Sequence, residues 1–400
     1  MRTTAEVLLW ITPKIFDDLC RPAAAVGAFF DHYRDWIDGR RATILFAAGN
    51  GDHVLNYAGR GGRLDRFDWA RYNAFAPGHD QDRLRRDHNR DWLDRVREGG
   101  ERSENPYAAG PMMILSEQVM DYEVLAGIYA TVRAEAESRN VDIRLLEYLD
   151  PSPERCASEW KRRRHPEVSQ GAGSGEPGVI DTTVPLRGDG FRYAAWPDGI
   201  PEGLPAGDFA AAQAAAFCAD FGLDGVLLGD QFGLVGLRDP ANAPEPTDER
   251  RAGVERFFTQ LRERMGNRLV YWMDTHWPAE VEREAWCMTD AAYASLDAIV
   301  ASAGAVPTER GRIVPNLRSK STLSGPSVIM GLDFVDPWRW HRAYLDDRRT
   351  YLCQREVLED CAELIDGVTF FANDTFGQFV RADPLAETLA TLSRAEKRAS

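Results

Sequence analysis

Residues 208–230, DFAAAQAAAFCADFGLDGVLLGD, hold one helical pattern followed by one short apolar run. The run 224–230 is almost continuously apolar between its two aspartates. This is the pattern expected of a strand that is buried on both faces of a parallel sheet. A helix that leads directly into such a strand is the repeating unit of α/β folds.

The same unit recurs along the chain. The other seven apolar runs lie at 6–12, 42–49, 142–150, 268–274, 296–303, 327–334 and 367–374. Helical patterns separate them, and one of these patterns ends at Gly266-Asn267, a suitable helix C-cap. Eight alternations favour a closed (β/α)8 TIM barrel over an open doubly wound sheet. No G-x-G-x-x-G motif follows the first run, which weakens a dinucleotide-binding interpretation.

We therefore predict an α/β protein in which residues 1–400 form a single (β/α)8 barrel catalytic domain with long loops after strands 2 and 3. These loop insertions lie at about 50–112 and 151–205, and the second contains the Gly/Ser-rich tract SQGAGSGEPG. Both follow the C-terminal ends of predicted strands, where barrel enzymes build their active sites. We expect them to be active-site loops; the alternative is a pair of inert surface insertions.

Composition restricts the partners and the location. The chain has 48 Lys and Arg against 63 Asp and Glu, a net charge of −15, which argues against nucleic acid or an anionic membrane as a partner. The six cysteines include no CxxC pair, and we expect them to be buried in a reducing compartment. The apolar run before Pro13 is too short for a signal peptide, and no stretch reaches the ~20 apolar residues of a membrane span. We expect a soluble, cytoplasmic protein; its oligomeric state is not fixed by these features.

Acidic residues concentrate at the C-terminal ends of the apolar runs. Those at or just past the run ends are Glu147, Asp150, Asp230, Asp274, Asp333, Asp336 and Asp374, and Asp52 and His53 follow the second run. The C-terminal ends of barrel strands converge on one rim, so these groups are expected to lie near one another. Asp150 and Asp336 each precede a proline, where a turn-capping role is an alternative. Ion pairs with nearby arginines are a further alternative for one or two of the others.

Aromatic residues crowd the same ends. They are Trp10, Tyr57, Tyr148, Phe232, Trp272, Trp277, Trp338, Trp340 and Phe376. An aromatic residue within a strand usually belongs to the core. For an aromatic residue past a strand end, a place in the core and a role in ligand stacking are equally plausible. Sugar rings have apolar faces that stack on indoles and hydroxyl edges that bind carboxylates. A phosphate would instead call for a Gly-rich loop leading into a helix near the last two strands, which end in acidic and aromatic residues here.

The stretch 221–233, FGLDGVLLGDQFG, brings Asp224-Gly225 to the start of the fourth strand and Asp230 to its far end. This resembles the fourth-strand motif of retaining α-glycoside hydrolases with barrel folds, in particular the dextranase and cycloisomaltooligosaccharide glucanotransferase group. The likeness covers about a dozen residues and implies that Asp230 is the catalytic nucleophile. In that group the general acid/base ends the next strand or the one after.

The fifth run ends in YWMDTHWP, which offers Asp274 where the group has Glu, and the sixth ends in VASAG, with no carboxylate. We expect Asp274 to be the acid/base, with Asp333 and Glu147 as alternatives. The predicted function is a glycoside hydrolase or transglycosylase that cleaves a small oligosaccharide or glycoside through two carboxylates, without a cofactor or metal. The residues predicted to bind the substrate are Asp52, His53, Glu147, Gln231, Trp272, His276, Trp277, Asp333, Trp338, Asn373 and Asp374.

Two other functions fit the same rim. The first is a metal-dependent TIM-barrel sugar isomerase or hydrolase with the rim carboxylates and His276 as ligands. The scarcity of histidine at the strand ends and the absence of H-x-H and HExxH motifs argue against it. The second is a barrel that binds sugars without catalysis.

Overall fold

Eight parallel strands close into a barrel in the computed structural model. The described residues are 5–11, 22–46, 52–59, 122–149, 160, 164–169, 182–229, 245–274, 277–301, 310–332, 348–372, 379–380 and 382–399. The strands are β1 (Glu6–Ile11), β2 (Ala42–Phe46), β3 (Ile143–Leu149), β4 (Gly225–Leu228), β5 (Leu269–Met273), β6 (Ala298–Ala301), β7 (Ser327–Leu332) and β8 (Gly367–Phe371). Consecutive strands pair in parallel and β1 pairs with β8, which confirms the predicted (β/α)8 TIM barrel.

Helices surround the barrel. Within the described ranges they are α1 (Pro22–His32), α2 (Arg34–Ile37), α3 (Asp52–Leu55), α4 (Tyr122–Ser138), α5 (Ala206–Phe221), α6 (Asp248–Met265), α7 (Ala279–Ala285), α8 (Asp290–Ala294), α9 (Arg310–Ser321), α10 (Arg348–Cys361) and α11 (Ala382–Ala399), with 3₁₀ turns at Pro166–Ser169 and Ala362–Leu364. The ends of α6 show how the sequence sets such boundaries. The Thr247 side chain accepts a hydrogen bond from the Arg250 N–H at 3.2 Å, and Gly266 ends the helix with a φ of +59°, as its C-cap pattern predicts.

The strands bury both of their faces. One face packs against the surrounding helices, and the other fills the lumen of the barrel. The buried lumen residues are Leu8, Trp10, Leu45, Leu146, Tyr148, Leu227, Tyr271, Met273, Ala298, Val300 and Ile329. Because side chains alternate along a strand, the residues between these face the helices.

A polar group closes the amino-terminal end of the lumen. The Tyr271 hydroxyl donates to Glu6 Oε1 at 2.8 Å, and the Thr43 hydroxyl donates to the same oxygen at 2.6 Å. Arg144 Nη1 lies 3.8 Å from Glu6 Oε2. Burial and the neighbouring Glu6 carboxylate raise the pKa of Tyr271, so it remains a phenol and a donor. The Glu6 carboxylate is therefore held by two hydroxyl groups and a nearby guanidinium. Active sites of barrel enzymes lie at the opposite, carboxyl end of the strands.

The two predicted insertions are described only in part. Of 50–112 the structure describes 52–59, and of 151–205 it describes residues 160, 164–169 and 182–205. The segment 182–205 packs on the start of α5, where the N–H groups of Ala206 and Gly207 donate to the carbonyls of Val184 and Thr182. Their role as active-site loops stays a prediction.

The structure bears on two expectations from the composition, the burial of the cysteines and the lack of a membrane-spanning segment. Cys218, Cys287 and Cys361, whose side chains are described, are buried as expected. Over the described ranges, no helix combines the length and the apolar character that a membrane crossing needs.

Candidate active site at the carboxyl ends of the strands

Three aromatic rings meet at the carboxyl end of the lumen. Trp10, near the end of β1, has its ring centroid 4.5 Å from that of Tyr148 on β3 and 4.5 Å from that of Phe371 on β8. Trp10 and Tyr148 are each 7% exposed, and Phe371 is half-buried. We call these three residues the aromatic floor. The ring planes are tilted by 53° between Trp10 and Tyr148 and by 35° between Trp10 and Phe371, and together they make this end of the lumen apolar and aromatic. Such rings are suited to contact the apolar face of a ring-shaped ligand.

The strand β4 runs beside the floor. Its Leu227 pairs with Tyr148, and the Gly229 N–H donates to the Leu149 carbonyl at 3.0 Å. The predicted nucleophile, Asp230, is the next residue and lies outside the described residues. The other predicted site residues outside the described ranges are Gln231, His276, Asp333, Trp338, Asn373 and Asp374, as is the side chain of Asp52.

Asp274, the predicted acid/base, directly follows β5. Its backbone N–H donates to the Val300 carbonyl at 3.0 Å, and its side chain is fully buried. Asn316 Nδ2 on α9 donates to its Oδ2 at 2.7 Å, and Lys320 Nζ lies 3.8 Å from the same oxygen. Met273 fills the lumen, so by alternation Asp274 is on the helix-facing side of the barrel wall. The structure therefore brings this carboxylate to α9 and not to the aromatic floor.

Lys320 is a fully buried cation between two buried carboxylates. Besides Asp274 it forms an ion pair with Glu282 on α7, which also accepts a hydrogen bond from the Tyr293 hydroxyl. Burial raises the pKa of Glu282, although Lys320 beside it acts in the opposite direction. Burial and the Glu282 carboxylate also raise the pKa of Tyr293, so this side chain remains a hydrogen-bond donor. This arrangement ties the end of β5 to two helices.

The two tryptophans near Asp274 belong to the same side of the wall. Trp272 is fully buried, with its ring centroid 6.1 Å from that of Phe258 and 6.4 Å from that of Tyr293. In this conformation it offers no surface to a ligand. Trp277 is half-buried and packs against the helix-side core. Their roles in substrate binding stay predictions.

The structure brings two other predicted residues together. Glu147 on β3 is fully buried between the lumen residues Leu146 and Tyr148, so it faces the helices. His53 Nε2 lies 3.1 Å from its Oε1, and the Tyr129 hydroxyl donates to its Oε2 at 2.6 Å. Burial, and then the Glu147 charge, raise the pKa of Tyr129. The His53–Glu147 pair connects the segment after β2 to β3 on the helix-facing side of the barrel.

Sequence reasoning did not single out Lys320, Tyr129 or Gln213, although each has buried polar contacts. Lys320 and Tyr129 lie in helices where a charged or phenolic residue carries no distinguishing signal. Gln213 did carry a signal in the sequence. It is the only strongly polar side chain within the apolar run AAAQAAAF, a pattern typical of a helix that is buried on all sides.

Among the described residues, no group of three or more His, Cys, Asp or Glu side chains is placed to hold a metal ion. No family model matches the chain, and no curated protein sequence does.

Solved structures with a similar fold do exist. The PgaB (BpsB) glycoside hydrolase domain from Bordetella bronchiseptica is 12% identical, with 96% of this chain and 98% of that one covered and a TM-score of 0.45. An α-amylase from Geobacillus thermoleovorans is 10% identical, with coverages of 99% and 80% and a TM-score of 0.43. The α-galactosidase TtGalA from Thermus thermophilus is 12% identical, with coverages of 99% and 62% and a TM-score of 0.41. At such identities and scores the likeness concerns the barrel fold and carries no argument about activity.

Proposed function

We propose that the protein is a glycoside hydrolase or transglycosylase that acts on a small oligosaccharide or glycoside at the carboxyl end of the barrel. The aromatic floor is the observation that carries this proposal. Trp10 contacts both of the other rings at the end of the lumen. Tyr148 lies on β3 next to β4, the strand on which the glycosidase-like motif is centred. A pyranose can place its apolar face against such rings while its hydroxyl groups bind carboxylates at the rim.

The reaction requires two carboxyl groups in different protonation states. In the proposal Asp230, directly after Gly229, attacks the anomeric carbon as an ionised carboxylate and forms a glycosyl–enzyme intermediate. A second carboxylic acid protonates the leaving oxygen and then, as a base, activates the water or acceptor sugar that releases the product. Such a pair lies about 5–5.5 Å apart in retaining enzymes.

For the second carboxyl group we retain Asp274, with one condition that follows from its contacts. Its Oδ2 accepts a hydrogen bond from Asn316 and faces Lys320, so it would have to leave both before reaching a leaving group. Asp333, which follows the last residue of β7, is the alternative.

The polar rim of the proposed site comprises Asp52, Gln231, His276, Trp338, Asn373 and Asp374. The substrate would be an imported or internal sugar, since we place the protein in the cytoplasm. No nucleic-acid or membrane partner is part of the proposal.

A screen of p-nitrophenyl glycosides and short α-glucans tests this function. We expect release of nitrophenol from at least one glycoside by enzyme treated with chelator, with the anomer of the first product identified by NMR. Turnover that is lost with chelator and restored by a divalent metal would support the isomerase or metal-hydrolase alternative. Binding of sugars without any turnover would support a non-catalytic barrel.

A further inference from the structure

Gln213 is a fully buried amide at the meeting point of two chain segments. It lies on α5, the helix that leads into β4. Its Nε2 donates to the carbonyls of Tyr57 at 2.8 Å and Leu55 at 3.1 Å, and its Oε1 accepts a hydrogen bond from the Ala195 N–H at 2.9 Å. One side chain therefore binds the segment that follows β2 and the segment that follows β3.

The two segments also contact each other at this point. The Ala194 N–H donates to the Tyr57 carbonyl at 2.7 Å, so this carbonyl accepts from both Ala194 and Gln213. Removing the amide would leave the buried Leu55 carbonyl and the Ala195 N–H without this partner, a loss that costs more than the bond itself contributes. The segments would then have to move to find other partners.

The segment 52–59 is held at a second place. His53 lies against Glu147 of β3, and the Tyr122 hydroxyl donates to the His53 carbonyl at 2.9 Å. Because of this second attachment, loss of the Gln213 contacts is expected to displace the segment locally and to leave the barrel folded.

We propose that Gln213 is a positioning residue for substrate binding, which holds the segments after β2 and β3 in one arrangement beside β3 and β4. This inference rests on the proposed function. Both segments leave the barrel at the carboxyl ends of strands, the end at which the aromatic floor lies, and 52–59 then packs on the helix-facing side of β3 through the His53–Glu147 contact. A positioning residue of this kind affects the affinity for substrate, whereas a structural residue affects only the fraction of folded enzyme.

The test compares Gln213→Met, which has a similar length but no polar atoms, with Gln213→Glu, which retains an acceptor for the Ala195 N–H. Val357→Ala, in the buried face of α10, is the control for a general loss of stability. Full-length proteins are studied by hydrogen–deuterium exchange and by kinetics on the p-nitrophenyl glycoside that the wild type hydrolyses fastest. In Gln213→Met we expect exchange in 52–59 and 193–196 to be about tenfold faster and KM to rise about tenfold with little change in kcat.

We expect Gln213→Glu to lie between the wild type and Gln213→Met in the exchange of residues around Ala195. Val357→Ala should change neither the exchange of these two segments nor KM. Unchanged exchange in both segments, or an unchanged KM in Gln213→Met, would overturn the inference. If the wild type hydrolyses no glycoside, the proposed function fails and the binding role of Gln213 fails with it; turnover with an unchanged KM rejects the binding role alone.

Discussion

The side-chain amide of Asn316 donates a hydrogen bond of 2.7 Å to the carboxylate of Asp274, the residue directly after β5. The contact joins α9 to a strand end that the sequence assigns to the catalytic rim. It gives Asp274 a structural role in addition to the proposed chemical one, and the two roles have different consequences.

Asp274→Asn separates these roles. If Asp274 is the acid, turnover of glycosides with poor leaving groups falls strongly, while activated aryl glycosides are little affected because their leaving groups need little protonation. We expect this dependence, measured as kcat/KM over a series of leaving groups. An equal loss across the series, together with a lower Tm, would move the acid/base role to Asp333 and leave Asp274 as a link to α9.

Lys320→Met should destabilise the fold strongly. It leaves the buried carboxylates of Asp274 and Glu282 without their shared cation, and breaking a buried ion pair costs about 3–5 kcal/mol. Urea unfolding measures this loss. The double variant Lys320→Met/Glu282→Gln should recover part of it, because one of the uncompensated charges is then absent. A loss below about 1 kcal/mol in the single variant would contradict the buried network.

Glu167 should make stability depend on acid pH. Burial acts to raise its pKa, but the Arg187 N–H, 2.9 Å from Oε1, and His165, 2.8 Å from the same oxygen, leave that pKa below its ordinary value of 4.5. A carboxyl group with a lowered pKa stabilises the fold above its unfolded-state pKa, and this contribution is lost as the pH falls through the folded-state pKa.

Glu167→Gln should therefore cost about 1 kcal/mol at neutral pH. The difference from the wild type should shrink as the pH falls below 4.5. Thermal unfolding over this pH interval measures both effects. A difference that stays constant with pH would show that the charge of Glu167 contributes nothing.

Trp10 should contribute directly to substrate affinity through its place in the aromatic floor. Trp10→Leu removes the ring, and we expect KM to rise about tenfold, while Trp10→Phe, which retains a ring, should raise it only about threefold. Trp36→Leu is the matched control, since Trp36 is a buried indole on the helix side, with its ring centroid 4.9 Å from that of Phe370. An equal KM in Trp10→Leu and the wild type would remove the floor from the proposed site.

The sequence was sufficient to predict the barrel, because strands buried on both faces appear as uninterrupted apolar runs between helices. The predicted strand 142–150, for example, is observed at Ile143–Leu149. Because both faces of these strands are apolar, however, the sequence does not show whether an individual side chain faces the lumen or the helices. It therefore did not reveal that the side chains of Glu147 and Asp274 face the helices. Their roles in the site stay predictions.

The contacts of the candidate site were less accessible to sequence reasoning than the fold. Gln213 and Tyr57 are separated by 156 positions, and only the folded chain brings them to 2.8 Å. The pattern AAAQAAAF shows that a polar residue is buried, but not what it binds. The aromatic floor likewise combines residues from β1, β3 and β8, whose proximity depends on closure of the barrel.

The most direct test of the glycosidase proposal is turnover by Asp230→Asn on the best glycoside of the screen. Asp224→Asn, at the opposite end of β4, is the matched control, since Asp224 accepts a hydrogen bond from the Leu145 N–H at 2.8 Å and belongs to the fold. We expect Asp230→Asn to lose on the order of a thousandfold or more in kcat with an unchanged Tm, and Asp224→Asn to retain kcat. Turnover by Asp230→Asn at the wild-type rate would contradict its role as the nucleophile.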